Sequence, residues 1–300
     1  MTEYTIFWGC LISTKFLNIE KASRMVFNEL GIKLNESKGF SCCPEPVVSK
    51  VADRNLWLTL AARNLSLIEE KKQKLMVICN GCYESLYDAK HELKREPELK
   101  QKINENLNAI GRTFQGTAQV LNFLEVLVKD IGIENLKEHV KKPLNKLKVA
   151  MHYGCHLYTA EDPSKTWDLA RYFDDIVRAT GADIIPYGCE RLCCGYPLSQ
   201  YNYNYALENR TYNKLKIISK CGANCIVVTC PACYYQLDFE QKTIEKKFGE
   251  KLGIPVIHLM ELLAMAFDLP GTDELLKMHR TKATPLLELI GGYNGGTKSG

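Results

Sequence analysis

The chain carries the same arrangement of five cysteines twice. In the first half, one cysteine is followed after 31 residues by an adjacent pair and, 35 residues later, by a C-x-x-C motif. The second half repeats this order with gaps of 37 and 35 residues. The flanking segments also match, since FWGC corresponds to HYGC and VICNGCYESL to VVTCPACYYQL. We therefore interpret the chain as a duplication. Its ten repeated cysteines are Cys10, Cys42, Cys43, Cys79, Cys82, Cys155, Cys193, Cys194, Cys230 and Cys233.

Short apolar runs rich in Val, Ile and aromatic residues precede four of these cysteines, and such runs are typical of buried strands. The predicted strands are Tyr4–Trp8, Leu75–Ile78, Val149–Tyr153 and Ile226–Thr229. Helical patterns lie between them, over Ile19–Leu30, Leu56–Lys71, Ser164–Thr180 and Asn204–Ser219. This alternation predicts an α/β fold of two similar duplicated halves with mostly parallel sheets, related by a pseudo-two-fold axis. Open parallel sheets bind ligands beyond the carboxyl ends of their strands, where the cysteines lie.

The repeat also predicts the domain boundaries. We expect a first domain over residues 1–145, a second over 146–270 and a C-terminal extension over 271–300 that is partly flexible, since GGYNGGTKSG has the composition of a mobile terminus. A lysine- and glutamate-rich insertion around His91–Asn106 lies within the first half, and Lys137–Lys148 is interpreted as the connection between the halves.

Composition and charge exclude several classes of protein. The chain has 39 basic and 35 acidic residues, and a net charge of +4 is too small to indicate a nucleic-acid-binding protein. No segment reaches the roughly eighteen uninterrupted apolar residues of a membrane span. The chain begins without the pattern of a secretory signal, so we expect it in the cytoplasm. In that reducing compartment, its 13 cysteines indicate metal or redox chemistry rather than structural disulfides.

Three other uses of the repeated cysteines compete with a polynuclear metal cluster. Adjacent cysteines are poor disulfide partners because consecutive Cα atoms lie closer together than a disulfide requires. A structural zinc needs four ligands, whereas each repeat supplies five, which favours a polynuclear cluster while leaving zinc as an alternative. A thioredoxin-like role for the two C-x-x-C motifs would leave the other three cysteines of each repeat without a task.

The spacing C-x31-CCP-x35-CNGC followed by C-x37-CCG-x35-CPAC resembles the two-copy cysteine-rich (CCG) domain family, and within it the B subunits of methanogen heterodisulfide reductases. The match covers residues 1 to 270, with one departure, where Pro44 replaces the glycine of the first CCG motif. The resemblance implies that each five-cysteine set holds a noncubane [4Fe-4S] cluster. The implied sets are Cys10, Cys42, Cys43, Cys79 and Cys82 for the first cluster, and Cys155, Cys193, Cys194, Cys230 and Cys233 for the second.

The resemblance further implies an enzyme that reduces the mixed disulfide of coenzyme M and coenzyme B to two thiols, with the substrate between the clusters. Because those coenzymes are anionic, we expect lysine or arginine side chains around the entrance. The sequence has no G-x-G-x-x-G loop and no ferredoxin-type cysteine run, so electrons must come from other chains. The implied partners are the ferredoxin-like C and flavin-containing A subunits of such a reductase, with a hydrogenase or formate dehydrogenase module as a further component.

Other assemblies use similar domains. An electron-transfer subunit of a succinate:quinone, lactate or glycolate oxidoreductase, or of a sulfur-oxidising complex, therefore stays an alternative. A zinc-stabilised scaffold that docks redox subunits is another.

Several further residues are candidates for a role near the clusters. His152 and His156 flank Cys155, and His156 is the better candidate for proton donation because it follows the strand end. His258 lies in an apolar run and is interpreted as a core residue. Glycines and prolines beside the ligands would let the backbone approach a bulky cluster or stiffen a turn; they are Gly9, Gly154, Gly195, Pro44 and Pro231. The unpaired cysteines, predicted to be small buried residues rather than a separate metal site, are Cys189, Cys221 and Cys225.

Overall fold

The computed structural model describes residues 2–158 and 167–291 and contains two sheets, one in each half of the chain. The elements of the first half are β1 (Thr2–Phe7), α1 (Gly9–Lys15), α2 (Leu17–Glu29), β2 (Ile32–Asn35), α3 (Val48–Ala52), α4 (Arg54–Lys71), β3 (Lys74–Val77), α5 (Asn80–Arg95), α6 (Pro97–Asn108), β4 (Gln119–Asn122), α7 (Phe123–Glu125), a π-helical segment Val126–Ile131, and α8 (Ile133–Glu138).

The second half follows the same plan. Its elements are β5 (Lys148–His152), α9 (Asp168–Ala179), β6 (Asp183–Ile184), α10 (Tyr196–Ser199), α11 (Tyr203–Ala206), a π-helical segment Leu207–Thr211, α12 (Tyr212–Ile218), β7 (Cys225–Val228), α13 (Pro231–Tyr234), a π-helical segment Tyr235–Phe239, α14 (Glu240–Phe248), β8 (Val256–His258), α15 (Leu259–Ala266), α16 (Thr272–Lys277) and α17 (Pro285–Leu289).

The two sheets have the same topology. The strand orders are β2-β1-β3-β4 and β6-β5-β7-β8, and every pairing is parallel. The central strands β3 and β7 are buried along almost their whole length, as expected for parallel strands covered by helices on both faces. The predicted α/β fold of two similar halves is therefore confirmed.

The four predicted strands are present, each shifted by one or two residues. The predicted helix Asn204–Ser219 is α11 and α12 joined by a π-helical segment, and the predicted helix Ser164–Thr180 begins at residue 168, its first three residues lying outside the described ranges. The charged insertion around His91–Asn106 forms the end of α5 and most of α6.

Helices of each half pack against helices of the other half. The first-half helix α2 packs against the second-half helix α15, and the second-half helix α9 packs against α7 and the π-helical segment that follows it. These reciprocal contacts are what a pseudo-two-fold axis produces. The helices that follow β4 and β8, the last strands of the two sheets, both begin with a capping box. It is formed by Asn122 and Glu125 in the first half and by His258 and Glu261 in the second.

A buried polar network joins three segments of the chain. Asn18 of α2 donates to Glu261 of α15 at 2.9 Å and to the Tyr234 hydroxyl at 3.1 Å, and His279 bonds Glu261 at 2.9 Å. Burial alone would raise the pKa of Glu261 and lower that of His279, but their mutual attraction reverses both directions. The network therefore contains a buried ion pair.

The predicted C-terminal extension is partly folded onto the second half. Within it, α16, His279 and α17 pack on the core, and Asp238 accepts hydrogen bonds from the backbone of Arg280 and Thr281. Residues 292–300, where flexibility is predicted, lie outside the described ranges. The boundaries at 145 and 270 stay predictions. Over the described ranges, none of the helices has both the length and the apolar character of a bilayer-spanning segment.

Candidate metal centre

The C-x-x-C motifs begin helices at the carboxyl ends of the two central strands. Cys79 precedes α5 directly after β3, and Cys230 precedes α13 directly after β7. Pro231 occupies the first position of its helix, where a missing backbone N–H has no cost. The second cysteine of each motif, Cys82 or Cys233, lies one turn inside the helix and is buried. Both motifs therefore present two thiols at the same edge of a sheet.

Glycines let the first cysteine of each repeat approach its C-x-x-C motif. Gly9 and Gly154 have φ angles of +73° and +72°, in the left-handed region that favours glycine. A Cβ atom at Gly9 would lie 2.8 Å from the sulfur of Cys82, and one at Gly154 would lie 3.4 Å from the sulfur of Cys233. The interpretation of these two glycines as points of close approach agrees with the geometry.

A glycine is needed at position 195 because of different neighbours. A Cβ atom there would lie 2.9 Å from Thr211 Oγ1 and 3.2 Å from the Cβ of Arg210, and no cysteine sulfur is among its nearest neighbours. Its φ angle of +105° also favours glycine. The backbone N–H of Gly195 also donates to the sulfur of Cys193 at 3.4 Å. The interpretation of Gly195 as a point of approach to a cluster therefore stays a prediction, and the residue additionally accommodates packing against a neighbouring helix.

Buried polar side chains hold the adjacent cysteine pairs in place. In the first half, Ser85 donates to the carbonyl of Cys43 at 2.8 Å, and Asn64 donates to the carbonyl of Cys42 at 2.9 Å. In the second half, Thr211 donates to the carbonyl of Cys194 at 2.9 Å. These bonds fix the backbone from which the thiols project.

The ten repeated thiols are electrostatically linked in a single series. Each thiol shifts the pKa of the next, in the order Cys10, Cys42, Cys43, Cys82, Cys79, Cys230, Cys233, Cys194, Cys193, Cys155. When each cysteine is replaced by its counterpart in the other repeat, the same series is obtained in reverse order. The two sets therefore meet at Cys79 and Cys230, where a pseudo-two-fold axis would pass. All thirteen cysteines lie in the described ranges, and none forms a disulfide.

Hydrogen bonds between the halves reinforce this meeting point. The side chain of Asn80, which follows Cys79, donates to the hydroxyl of Thr229, which precedes Cys230, at 2.7 Å. Asn122 in turn donates to Asn80 at 3.3 Å. Sequence reasoning missed these residues, because an asparagine within a C-x-x-C motif is also an ordinary turn residue.

All of the repeated thiols except that of Cys193 line a cleft between the halves with a cavity volume of about 110 Å³. Trp8, Tyr196 and several prolines form much of the remaining wall, and Glu45 and His156 are its charged or titratable side chains other than cysteines. Among the described residues that line this cleft there is no lysine or arginine. The surface of these walls is mostly thiol and apolar, and the expectation of basic side chains around the entrance stays a prediction.

His156 reaches across the cleft. Its Nδ1 is hydrogen-bonded to Glu84 of the first half, and a Cβ atom at Gly81 would lie 3.6 Å from its ring. Burial lowers the pKa of His156, but the hydrogen bond and charge of Glu84 outweigh it and raise the pKa to about 9. No motif in the sequence singles out Glu84, so sequence reasoning missed it.

His152 is buried next to the second set. Its ring lies close to the sulfur atoms of Cys194 and Cys233, and burial lowers the pKa of its imidazole to about 3. His258 also lies in the core, where its Nδ1 accepts from the backbone of Met260 at 3.3 Å, so its interpretation as a core histidine agrees with the structure.

The three cysteines outside the repeat lie apart from the cleft walls. Cys225 is buried within β7, Cys189 is buried, and Cys221 is partly exposed. Among the described residues they form no group of three ligands with one another.

The residues present fit iron–sulfur clusters. Two sets of five converging thiols exceed what a mononuclear tetrahedral site uses, and the glycines leave space beside them where a side chain would collide with sulfur. A disulfide-based redox motif would need fewer thiols.

Comparison with known proteins places the chain among iron–sulfur oxidoreductase subunits. A model of the cysteine-rich (CCG) domain matches residues 4–87 and 149–238. The B subunit of the ferredoxin:CoB-CoM heterodisulfide reductase of Methanosarcina mazei is 41% identical over 273 residues, covering 89% of each chain. The 8-methylmenaquinol:fumarate reductase membrane anchor subunit of Wolinella succinogenes is 34% identical and covers 95% of this chain and 99% of its own. A solved structure of a hypothetical protein from Helicobacter pylori matches with a TM-score of 0.72 at 15% identity, over 94% of this chain and 52% of that one, which supports the fold.

Proposed function

The chain belongs to the family of heterodisulfide reductase B subunits, built on two cysteine-rich domains, and from this premise we propose that it is the catalytic iron–sulfur subunit of a heterodisulfide reductase. The proposed reaction is the two-electron reduction of the coenzyme M–coenzyme B disulfide to its two thiols. The single observation that carries the proposal is that thiols of both five-cysteine sets, Cys79 and Cys230 among them, line one shared cleft.

Two noncubane [4Fe-4S] clusters would be held by the two sets, Cys10, Cys42, Cys43, Cys79 and Cys82 in the first half, and Cys155, Cys193, Cys194, Cys230 and Cys233 in the second. When bound, the clusters supply one electron each, which together meet the need of a disulfide. The chain's own contribution is to hold both sets on rigid strand ends and to keep the space between them lined by apolar and thiol groups.

The cleft walls favour a sulfur-containing substrate over a charged one. Thiol, aromatic and proline surface can pack against a disulfide and its methylene groups, whereas anionic ends would face a carboxylate at Glu45. We therefore propose that the disulfide bond enters the cleft while the charged ends of both coenzymes stay at or beyond its mouth.

His156 is the proposed proton donor to the departing thiolates. It lines the same cleft as the thiols, and Glu84 of the opposite half fixes the orientation of its ring. Because one partner comes from each half, this pair forms only when the halves are assembled. Glu84 is then a positioning residue.

The electrons would come from other chains. We propose as partners the ferredoxin-like C and flavin-containing A subunits of the reductase, with a hydrogenase or formate dehydrogenase module as a further component, in a cytoplasmic complex. The support is that the Methanosarcina mazei relative is named as one subunit of a ferredoxin-linked reductase, and that the sequence has no flavin fingerprint.

A second candidate function is electron transfer in a quinol-linked complex. It is favoured by the Wolinella succinogenes relative, which is named as a subunit of a menaquinol:fumarate reductase and matches over nearly the whole of both chains. In that role the clusters would relay electrons without binding a disulfide.

The test is metal and sulfide analysis of the anaerobically purified chain, followed by EPR with and without coenzyme M. Two [4Fe-4S] clusters predict about eight iron and about eight sulfide per chain. A cluster signal in the oxidised protein that changes on addition of coenzyme M, together with cleavage of the heterodisulfide by reduced dye, supports the proposal. Fully assembled clusters whose EPR signal does not change on addition of coenzyme M would favour the quinol-linked function. Zinc without sulfide would support a structural scaffold instead of either redox function.

Replacing His156 with glutamine is expected to lower the turnover number for disulfide cleavage by about a hundredfold, the usual scale of lost proton transfer, with little change in KM. Iron content should stay at the wild-type level, since His156 is outside both ligand sets. Replacing His139, a half-buried histidine of the first half that is not among the residues lining the cleft, serves as the control. Unchanged turnover in the His156→Gln variant would remove this residue from the mechanism.

A further inference from the structure

His152 is a buried histidine whose two ring nitrogens make no hydrogen bond of good geometry within the described part of the chain, although the backbone of Glu190 lies near one of them. The residue is only 1% exposed. A buried polar group left unpaired costs about 1–3 kcal/mol, so such a group in a folded protein indicates a partner that the polypeptide does not supply.

The ring faces the second ligand set. A ring nitrogen of His152 and the sulfur atoms of Cys194 and Cys233 all lie within 4.8 Å of one another. A Cβ atom at Gly154 would lie 3.7 Å from Nε2 of His152 and 3.4 Å from the sulfur of Cys233, so both atoms border the same space. The ring position is well fixed, because His152 is the last residue of β5 and pairs with Val228 of β7.

The first half has no corresponding donor. Phe7 occupies the equivalent position, as the last residue of β1 paired with Val77 of β3. Its ring packs edge-on against Phe40, with centroids 5.0 Å apart. The strands and cysteines of the two sites correspond, as do Gly9 and Gly154, so this exchange of phenylalanine for histidine is a local chemical difference between two similar sites.

We propose that the ring N–H of His152 donates a hydrogen bond to a ligand or cluster sulfur of the second set, which makes the second cluster easier to reduce than the first. This inference rests on the proposed function, since it requires an iron–sulfur cluster on the second set. A hydrogen bond to sulfur stabilises the reduced, more negative state and so raises the reduction potential. His152 is thus a positioning residue that tunes the electron acceptor and does not touch the substrate.

The test is an EPR-monitored redox titration of the anaerobic chain in its wild-type form and as His152→Phe, His152→Gln and Phe7→Leu variants. His152→Phe reproduces the first-half residue and is expected to move one midpoint potential to a more negative value while the other stays in place. His152→Gln keeps an N–H donor and should retain part of the wild-type potential. Phe7→Leu removes no donor and should move neither potential.

Labelling with ¹⁵N-histidine gives an independent readout. Pulsed EPR of the wild type should show a weak nitrogen coupling to one cluster that is absent in His152→Phe. A strong coupling, as given by direct iron ligation, would overturn the donor role, as would identical potentials in wild type and His152→Phe.

Iron analysis distinguishes a failure of the proposed function from a failure of the proposed donor role of His152. A wild-type chain without iron and sulfide would refute the proposed function itself. If His152→Phe loses half of its iron, the His152→Gln variant decides: two clusters with a nearly wild-type potential support the donor role, and the same loss of iron overturns it.

Discussion

Replacing Cys82 with alanine is expected to remove about half of the iron and to lower the rate of heterodisulfide reduction by about a hundredfold or more. Cys82 is buried in the middle of the first set, where its sulfur contacts those of Cys43 and Cys79. Because the disulfide needs two electrons, one remaining cluster cannot complete the proposed reaction. Iron, sulfide and turnover number are measured on the same anaerobic preparation.

Two further variants sharpen this experiment. Cys225→Ala removes a cysteine that is equally buried but lies within β7, outside the repeat, and should keep nearly all iron and activity. Cys233→Ala, the symmetric counterpart of Cys82→Ala, should also lose about half of the iron. The double variant should lose nearly all iron with little additional loss of rate, since the two sets act as a unit. Full iron in Cys82→Ala would contradict the ligand assignment.

Replacing Gly9 with alanine is expected to prevent assembly of the first cluster. The new Cβ atom would lie 2.8 Å from the sulfur of Cys82, closer than such atoms approach without a shift of one of them. The sulfur could avoid the new atom by rotating about the Cα–Cβ bond of Cys82, but it would then leave its place in the first ligand set. Iron analysis should show about half of the wild-type content, and activity should fall as in Cys82→Ala.

Gly31 supplies a matched control for the backbone strain. Its φ angle of +68° is close to the +73° of Gly9, but a Cβ atom there would meet nothing within 4 Å. Both alanine variants therefore carry the left-handed backbone cost of about 1 kcal/mol, and only Gly9→Ala adds a collision with a ligand. Gly31→Ala should melt slightly earlier and retain its iron. Equal iron loss in both variants would show that strain, and not contact with sulfur, is responsible.

The strands and the cysteines at their ends were predictable because both are local features. A run such as LMVI before Cys79 is apolar throughout, which is the pattern of a strand buried on both faces. The repeat then required the same element before Cys230. The reason for Gly195 was not predictable, since its neighbours Arg210 and Thr211 lie in a different helix.

The contacts between the halves could not be predicted from local sequence patterns. The pairing of His156 with Glu84 joins residues 72 positions apart, and Asn80 and Thr229 are 149 positions apart. Basic side chains were expected around the entrance because the implied coenzymes are anionic, and that expectation stays a prediction. The cleft walls themselves are mostly thiol and apolar surface and include no lysine or arginine among the described residues.

Duplication, parallel α/β halves and two five-cysteine sets follow from spacing and hydrophobic pattern, because strand ends and their flanking turns are encoded within a few neighbouring residues. The placement of thiols from both sets around one cleft and of His156 beside Glu84 depends on the packing of α2 on α15 and of α9 on α7. The exchange of Phe7 for His152 is visible in the sequence, but the position of His152 beside Cys194 and Cys233 is decided by the folding of the second half. Such packing brings together segments far apart in the chain, and no short stretch of sequence specifies the distance between them.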